Sequence, residues 1–380
     1  MERIGMVADR VAARKASGWD VVVVVSAMGD TTDELLALAR RVSPNPSRRE
    51  LDMLLSAGER IAMALISMAL NERGVPAVSF TGSQSGIITS DAHTNARIVE
   101  VRPFRVQDEL LRGRVVIVAG YQGVSYRREV TTLGRGGSDT TAVALAAALE
   151  AEACEIYSDV AGVFSADPRL VPEARRLAEI SYEEMQELAE AGARVLNAQA
   201  VEFAKDRGIA LYARAATGDD GETVVRRHAP RAPGRVVGVA SEKGLVLLRL
   251  AGGDLGELLS LLERLDTRAA GAKQLRFDGP LGASLVLALE NLHDFGALRA
   301  EIQAGVPGVS VLEGVGAVSA IGAGINASFR NVREAVRLVS EAGASVLGVA
   351  TSSFRISLLL EEAKVEDAVI RLHRGMVGDT

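Results

Sequence analysis

Residues 131–169 read TTLGRGGSDTTAVALAAALEAEACEIYSDVAGVFSADPR, and they constrain the fold and the function more than any other stretch. The first part places three glycines around one cation, Arg135, and runs directly into an alanine-rich helical segment. Glycines allow the backbone to approach a ligand closely, and the first turn of a helix offers unpaired N–H groups and a positive dipole end. An arginine held there can bind a carboxylate or a phosphate through two parallel hydrogen bonds. The stretch therefore predicts an anion-binding site at the start of a helix.

A glycine-rich turn before a helix is weak evidence alone, because most such turns only connect two elements. Here the stretch continues into an apolar strand at 154–157, the pair Ser158 and Asp159, and a second loop at 164–169. Hydroxyl and acidic groups at the end of the next strand favour a ligand site over a simple connection.

The N-terminal half alternates between strand and helix patterns. Its apolar runs lie at 21–25, 77–80, 115–119 and 154–157. Helical patterns separate them, such as those at 54–70 and 140–151. Fully apolar strands that alternate with helices predict a parallel sheet covered on both faces, with ligands bound beyond the carboxyl ends of the strands. The residues that directly follow the runs, and that we expect to line one shared site, are Ser26, Thr81, Gly120 and Ser158.

The composition narrows the class of protein. With 380 residues, 48% apolar and 24% charged, the chain is long enough for two or three ordinary globular domains. The net charge of −6, without a dense basic run, argues against a nucleic-acid partner, and no uninterrupted apolar run is long enough to span a membrane. Cys154 is the only cysteine, so no intrachain disulfide can form. These features predict a cytoplasmic protein that binds neither nucleic acid nor membranes.

The C-terminal part has a different pattern. Glycines, prolines and aspartates break all periodicity at 218–235, which predicts a linker. Two units of the order β-α-β-β-α follow, from 235 to about 305 and from about 314 to the chain end, and this order is typical of ferredoxin-like modules. Because such modules expose sheet edges, we expect a homodimer or higher homo-oligomer formed through residues 235–380.

Together with three upstream segments, the opening stretch resembles the aspartate kinases of the amino acid kinase family. The segments are VVVVVSAMGDTTDELLALA (21–39), LLSAGERIAMAL (54–65) and SFTGSQSGI (79–87). The resemblance covers nearly the whole chain and is strongest over 2–218. It implies an α/β fold: a three-layer, mainly parallel-sheet kinase domain at 1–228, then two ferredoxin-like ACT domains at 229–305 and 306–380. The second ACT domain matches the family at ATSSFRIS (350–357), whereas the first departs from it at GGDLG (252–256).

The resemblance also implies a reaction. Aspartate kinases transfer a phosphoryl group from ATP to L-aspartate and form 4-phospho-L-aspartate, the first step toward lysine, threonine and methionine. Mg²⁺ would arrive with the nucleotide, since no histidine or cysteine cluster has metal-ligand spacing. Lysine or threonine would bind the ACT domains as a feedback effector. Two alternatives stay open: another amino acid kinase, acting on glutamate or a nucleotide, and a non-catalytic subunit that binds amino acids.

On the substrate side, the resemblance assigns Arg135 to a carboxylate of aspartate and Glu59 to its ammonium group. Ser26, Thr31 and Ser138 would add hydroxyl and amide contacts. Each has a plainer explanation as well. Glu59 could be a solvated carboxylate favoured by the dipole at a helix start, and the hydroxyl residues could belong to helix caps.

On the nucleotide side, the resemblance implies Gly136, Gly137, Ser158, Asp159, Phe164, Asp167, Arg169 and Arg194. Phe164 would pack near the base or ribose, and the two aspartates would lie near the sugar or the metal-bound phosphates. Arg194 stands where the family usually has a lysine, which keeps the charge and changes its reach. His93 could suggest a catalytic base, but nothing near it in the sequence supplies a nucleophile, so a structural or substrate-loop role is favoured.

One family feature is not in the printed sequence. Aspartate kinases begin with a strand that ends in a lysine, an aromatic residue, two glycines and a hydroxyl residue, and this loop binds phosphate. The printed sequence opens with residues that resemble the helix after that loop, with an apolar stripe of Ile4, Val7, Ala8 and Val11. A start placed too late would explain this, and so would natural loss of the loop. For the 380 residues alone we expect little kinase activity, because the lysine that offsets phosphate charge is missing.

Overall fold

The computed structural model describes residues 2–134, 136–193, 195–216, 221–227, 233–252, 255–267, 272–292 and 295–377. The helices and strands are, in chain order, α1 (Glu2–Ala16), β1 (Val22–Val25), α2 (Thr31–Val42), α3 (Arg48–Leu55), α4 (Ala57–Glu72), β2 (Ala77–Phe80), β3 (Ile87–Thr89), β4 (Ile98–Val101), α5 (Phe104–Leu111), β5 (Val115–Ala119), β6 (Gln122–Ser125), β7 (Val130–Thr132), α6 (Gly137–Ala148), β8 (Cys154–Ser158), β9 (Glu179–Ile180), α7 (Tyr182–Glu190), α8 (Ala198–Arg207), β10 (Leu211–Ala215), β11 (Glu222–Val225), β12 (Gly238–Ala251), α9 (Leu255–Thr267), β13 (Ala272–Phe277), β14 (Gly282–Ala288), α10 (Phe295–Gly305), β15 (Val309–Ile321), α11 (Phe329–Glu341), β16 (Gly348–Thr351), β17 (Arg355–Glu361) and α12 (Val365–Met376).

The chain divides into two compact units. Unit 1 comprises Met1–Asp159 and Leu196–Arg227, and unit 2 comprises Val160–Val195 and His228–Thr380. The division at 227/228 lies beside the domain limit expected at 228, but residues 160–195 pack with the C-terminal half. This segment contains four residues of the expected nucleotide site, namely Phe164, Asp167, Arg169 and Arg194, the last of which lies outside the described residues.

The central sheet of unit 1 is parallel and lies between two helical layers. Its strand order is β1-β5-β2, and β5 is buried along its whole length. Val115 and Ile117 of β5 pack with α1 and α4, whereas Val116 and Val118 pack with α5 and α6. Because alternate residues of β5 point to opposite faces, each face of the strand packs in a separate core. The run 115–119 is therefore apolar throughout. The predicted α/β architecture with a parallel sheet is confirmed.

Part of the linker expected at 218–235 is instead a strand. β11 pairs antiparallel with β10, with Tyr212 opposite Val224, and β10 pairs parallel with β8. Thr223 and Val225 are buried, so the sheet continues past the glycines and aspartates that break the sequence pattern. Another small sheet of unit 1 has the order β4-β3-β6-β7.

The single helix expected at 54–70 is two helices, α3 and α4, which meet at Ser56. The chain passes close to another segment just after this break. A methyl group on Gly58 would lie 2.8 Å from the Cβ of Ala27, so only glycine allows this approach. The break therefore places the first turn of α4 beside the end of β1.

By length and composition alone, the segment Arg48–Glu72 would be long and apolar enough to cross a membrane. The sequence did not indicate this segment when only uninterrupted apolar runs were considered. Its most apolar window is 50% buried inside the protein. Ala62, Ile66 and Leu70 pack in the core beside β5. This burial is typical of a core helix in a globular domain.

Unit 2 contains a six-stranded antiparallel sheet with the order β13-β14-β12-β15-β17-β16. The long strands β12 and β15 pair with each other and serve two cores. Val239 of β12 packs with α11 and α12, whereas Val246 and Leu248 of the same strand pack with α9 and α10. The two ferredoxin-like modules therefore share their central strands, and their cores cross the limit expected at 305/306.

Candidate active site

Glu59 is a buried carboxylate with one oxygen that has no partner. It lies in the first turn of α4 and is 3% exposed. Its Oε1 accepts a hydrogen bond from the Ala27 N–H at 3.1 Å, whereas its Oε2 has no hydrogen-bond partner in the described part of the chain. Burial raises the pKa of Glu59 against the opposing effect of its own N–H and the Ala27 N–H. A solvated helix-start carboxylate is therefore the wrong explanation, and the geometry leaves a buried acceptor for a cation.

The hydroxyl residues assigned to the substrate lie around the carboxyl ends of β1 and β5. Ser26 directly follows β1 and is exposed. Gly120 directly follows β5, and a methyl group there would lie 2.8 Å from the Ser138 Oγ and 2.9 Å from the Val24 Cγ1. Thr31 belongs to the same region, because a methyl group on Gly58 would lie 3.5 Å from its Cγ2. The structure thus brings Glu59 and the three hydroxyl residues to one end of the sheet.

Side-chain capping, the plainer explanation for the hydroxyl residues, does not occur at these two helix starts. α2 has Asp30 at its N-cap position without a side-chain hydrogen bond, and the Thr31 hydroxyl instead donates to the Met28 carbonyl at 2.6 Å. α6 has Gly136 at its N-cap position, also without a side-chain cap. The expectation that Ser138 caps α6 is therefore wrong, and its hydroxyl does not serve that purpose.

The glycine-rich turn is a tight bend that opens α6. Gly134 and Gly136 have φ of +79° and +72°, a region that residues with a Cβ rarely adopt. The Gly137 N–H donates to the Gly134 carbonyl at 3.1 Å, which closes the turn. A methyl group on Gly136 would lie 2.4 Å from the Asn197 Nδ2, so only glycine fits there. Arg135, between these glycines, lies outside the described residues.

Asp139 and Asn197 are neighbours of this turn that the sequence analysis missed. Asp139 lies in the first turn of α6 and accepts a hydrogen bond from the Asn197 N–H. Burial raises the pKa of Asp139 to about 6. Asn197 caps α8, since its Oδ1 accepts the N–H groups of Gln199 and Ala200 at 2.9 and 3.3 Å. Asp139 is visible in the glycine-rich stretch, but acidic residues are common at helix starts, so its position alone does not indicate a site.

We expect Asp139→Asn to stabilise the folded protein at pH 8. A carboxyl group with a raised folded-state pKa of about 6 loses its proton less readily when folded, so its ionisation at higher pH costs stability, and an amide avoids this cost. The gain should be on the order of 1–2 kcal/mol at pH 8 and smaller at pH 5, where the folded carboxyl is mostly protonated. Urea unfolding at both pH values measures it. Equal gains at the two pH values would contradict the raised pKa.

In unit 1, the nucleotide-side residues lie at the end of β8 and in the glycine-rich turn. Ser158 ends β8, and its carbonyl accepts the Ala216 N–H at 2.7 Å. Asp159 follows and is exposed. Gly137 is buried, and a methyl group there would lie 2.7 Å from the Leu133 Cβ.

In unit 2, the nucleotide-side residues lie in one loop. Phe164 is half-buried and forms an isolated bridge with Arg176. Asp167 forms an ion pair with Arg169 at 2.7 Å, and hydrogen bonding to that arginine lowers the pKa of Asp167. Arg194 lies outside the described residues. Within the described ranges, no group of three or more histidine, cysteine, aspartate or glutamate side chains is placed to hold a metal ion.

His93 is paired with a buried carboxylate. Its Nδ1 lies 2.6 Å from the Oδ2 of Asp52, a fully buried residue of α3. Asp52 also accepts the Thr94 N–H at 3.0 Å and the Thr132 hydroxyl at 2.5 Å. These bonds hold the loop of His93 to α3 and β7, which indicates a structural role for the histidine.

The same loop touches the glycine-rich turn. The Ala96 N–H donates to the Thr132 carbonyl at 2.9 Å. A methyl group on Gly134 would lie 3.2 Å from the Asn95 Oδ1. The buried Asp52 thus stabilises a loop that supports one side of the turn.

Known proteins resemble this chain over most of its length. The sequence profile of the Amino acid kinase family matches residues 1–213. The whole chain aligns at 43% identity with the aspartokinase of Mycolicibacterium smegmatis and covers 94% of it. Among solved structures, the chain is similar to E. coli aspartokinase III in complex with aspartate and ADP, with a TM-score of 0.79 and 26% identity. The complex of that enzyme with lysine and aspartate gives a TM-score of 0.68 and 25% identity, and both alignments cover 91% of this chain and 80% of the other.

The parallel sheet between two helical layers and the glycine-rich turn together define an α/β class of protein, and the family profile matches more than half of the residues. The chain belongs to the amino acid kinase family. Family membership alone does not say which substrate accepts the phosphoryl group. The similarity to an aspartokinase extends over the full length of the chain at 43% identity. Within the family, the chain therefore belongs to the aspartokinases.

Proposed function

We propose that this protein transfers the γ-phosphoryl group of ATP to the side-chain carboxylate of L-aspartate, releasing ADP and 4-phospho-L-aspartate. The observation that carries the proposal is the buried Oε2 of Glu59, which has no partner in the described part of the chain. A buried polar atom is normally paired, so an unpaired one at a binding site fits a ligand group. The ammonium group of a small amino acid is such a group, and its charge suits a carboxylate.

The reaction brings two anions together, so catalysis rests mainly on positioning and charge neutralisation. The start of α6, which has Gly136 at its N-cap position, offers N–H groups and a positive dipole end to one anion. We assign Arg135 to a carboxylate of aspartate. Hydroxyl groups around the same end of the sheet come from Ser26, Thr31 and Ser138. The protonation state of the Asp139 carboxyl group sets the charge beside the turn.

For the nucleotide, we assign Gly136, Gly137, Ser158 and Asp159 in unit 1 and Phe164, Asp167, Arg169 and Arg194 along the following segment. The exposed carboxylate of Asp159 is an oxygen ligand of the kind that Mg²⁺ prefers. Mg²⁺ bound with ATP supplies positive charge to the phosphate oxygens. The half-buried ring of Phe164 is suited to packing against a base or ribose.

By position in the sequence, we assign residues 1–228 to the kinase domain and the ranges 229–305 and 306–380 to two ACT-like modules, with residues 160–195 packed on the modules and β12 and β15 shared between their cores. These modules bind lysine or threonine as a feedback effector, as the lysine complex of E. coli aspartokinase III supports. The exposed strand β13 and the strand β16 end the six-stranded sheet on its two sides and support pairing into a homodimer. We place the protein in the cytoplasm, on the pathway to lysine, threonine and methionine.

Trapping the acyl phosphate with hydroxylamine tests the proposal. The protein expressed from its own gene should form aspartyl hydroxamate in the presence of ATP and L-aspartate. L-glutamate should react at least about tenfold more slowly, because one added methylene is worth about that much in a fitted site. Faster reaction with glutamate would indicate another amino acid kinase. Tight lysine or threonine binding without any phosphoryl transfer would indicate a regulatory subunit.

A structural role for His93 leads to a second expected result. His93→Asn keeps a donor near the Nδ1 position and should leave kcat within about threefold, since loss of a general base costs about 10²–10⁴-fold. Asp52→Ala removes the acceptor of several hydrogen bonds and should destabilise the fold by about 2–4 kcal/mol. Initial rates and urea unfolding of both variants measure this. A fall of 100-fold or more in kcat for a stably folded His93→Asn would instead make the histidine catalytic.

A further inference from the structure

The nucleotide loop of unit 2 is built into the core of the second ferredoxin-like module. Ala166 and Val171 are buried with Val318 of β15 and Leu372 of α12. Residues 160–195 thus lie within the family match at 1–213 but fold against the C-terminal module. Whatever fixes this loop therefore includes residues of the module itself.

Ser165 holds the loop through both its backbone and its side chain. It is 1% exposed and lies between Phe164 and Ala166. Its N–H donates to the Arg175 carbonyl at 2.8 Å, and its Oγ accepts the Arg175 N–H at 2.9 Å. Its carbonyl accepts the Val239 N–H of β12 at 2.8 Å. Both the backbone and the side chain of Ser165 are thus constrained at once.

The remaining partner of Ser165 comes from the last helix. His373 of α12 is 5% exposed, and its Nε2 lies 2.8 Å from the Ser165 Oγ. Burial lowers the pKa of His373, with Glu173, Arg175 and Arg374 as the charged groups that act on it. The imidazole is therefore neutral near pH 7 and shares one hydrogen with Ser165. Its Nδ1 is buried without a hydrogen-bond partner in the described residues, so within that part of the chain the ring is held through its Nε2 and Ser165.

We propose that His373 is a positioning residue for the nucleotide loop. By its hydrogen bond to Ser165 it fixes the backbone on both sides of that residue, and so sets the orientation of Phe164 and Asp167. It acts on nucleotide affinity and not on aspartate affinity, because Glu59 and the hydroxyl residues around β1 belong to unit 1. The inference rests on the proposed function in one respect, that this loop binds nucleotide.

Two pairs of variants of the full chain test the proposal. His373→Gln can place its amide nitrogen near the Nε2 position, whereas His373→Asn reaches only the Nδ1 position and leaves Ser165 without this partner. Ser165→Thr keeps a hydroxyl group, whereas Ser165→Ala removes it. Arg371→Gln, an exposed position of the same helix, is the control for a change in α12. Calorimetric titration with ADP and, separately, with L-aspartate gives both dissociation constants, and thermal unfolding confirms that each variant is folded.

His373→Asn and Ser165→Ala should each raise the dissociation constant for ADP by about fivefold to tenfold, the worth of one neutral buried hydrogen bond. The ADP dissociation constant should stay within about twofold of the value for the unchanged protein in His373→Gln, Ser165→Thr and Arg371→Gln. No variant should change the dissociation constant for L-aspartate by more than about twofold. Equal ADP affinity in all variants, or parallel losses for ADP and aspartate, would overturn the proposal. Absence of ADP binding by the unchanged protein would instead contradict the proposed function. If His373→Asn does not fold, the Ser165 pair decides the question.

Discussion

Exchange of Glu59 for glutamine is expected to lower kcat/KM for L-aspartate by about 30-fold or more, because truncating one side of a buried charge pair costs about 2–5 kcal/mol. The amide oxygen can still accept the Ala27 N–H, which Glu59 accepts at 3.1 Å. The amide group would then face the substrate ammonium with a donor in place of the unpartnered Oε2. Most of the loss should appear in KM for aspartate, and KM for ATP should change by less than about threefold. Initial rates with each substrate varied in turn measure the effect.

A control separates this loss from a change in the helix. Glu72 ends the same helix, α4, and is exposed, so Glu72→Gln removes one charge away from the site. It should leave both KM values unchanged. Because burial disfavours the charge of Glu59, the Glu59→Gln protein should be at least as stable as the unchanged protein at pH 7. An equal loss for both substrates, or a lower stability, would point to a structural role.

Exchange of Gly136 for alanine is expected to reduce turnover by about 100-fold, since a displacement of about 1 Å at a reacting group can cost that much. The added methyl group would lie 2.4 Å from the Asn197 Nδ2 and 2.9 Å from the Asn197 Cβ. Either the turn or the start of α8 must move, and Asp139 accepts its hydrogen bond from the same Asn197. The first turn of α6 would then lose its alignment with the substrate.

Gly74→Ala is the matched control for this change. Gly74 has φ of +74°, close to the +72° of Gly136, but a methyl group there meets nothing within 4 Å. Both alanines therefore carry the same backbone strain, about 1–2 kcal/mol. Only Gly136→Ala should lose turnover, as measured by initial rates on folded protein. Similar activity in the two variants would mean that the turn does not need this close approach.

The parallel sheet of unit 1 could be predicted because its strands are buried on both faces. The run 115–119 is apolar throughout, and β5 serves a core on each side. β11 could not be predicted, because it lies directly after glycines and aspartates that normally mark a loop. The break at Ser56 was hidden for another reason: it depends on the contact of Gly58 with Ala27, thirty-one residues away.

The candidate site was predictable where its residues form a local pattern or a family motif. Glu59 came from the resemblance, and its burial and unpaired oxygen came only from the structure. The pairs Asp52 with His93 and Ser165 with His373 join residues 41 and 208 positions apart. No periodicity or spacing in the sequence connects such residues, because only the folded chain brings them together. The order β-α-β-β-α predicted two separate modules, whereas the folded chain shares the strands β12 and β15 between them.

The pairing of Glu59 with the substrate ammonium group is tested most directly with succinate, which is aspartate without that group. Calorimetric titration in the presence of ADP gives the dissociation constants of both compounds for the unchanged protein and for Glu59→Gln. The unchanged protein should prefer aspartate over succinate by at least about 30-fold, the worth of about 2 kcal/mol. In Glu59→Gln the preference should fall to about threefold or less, because the carboxylate that recognises the ammonium group is gone. The same preference for aspartate in both proteins would contradict the assignment of Glu59.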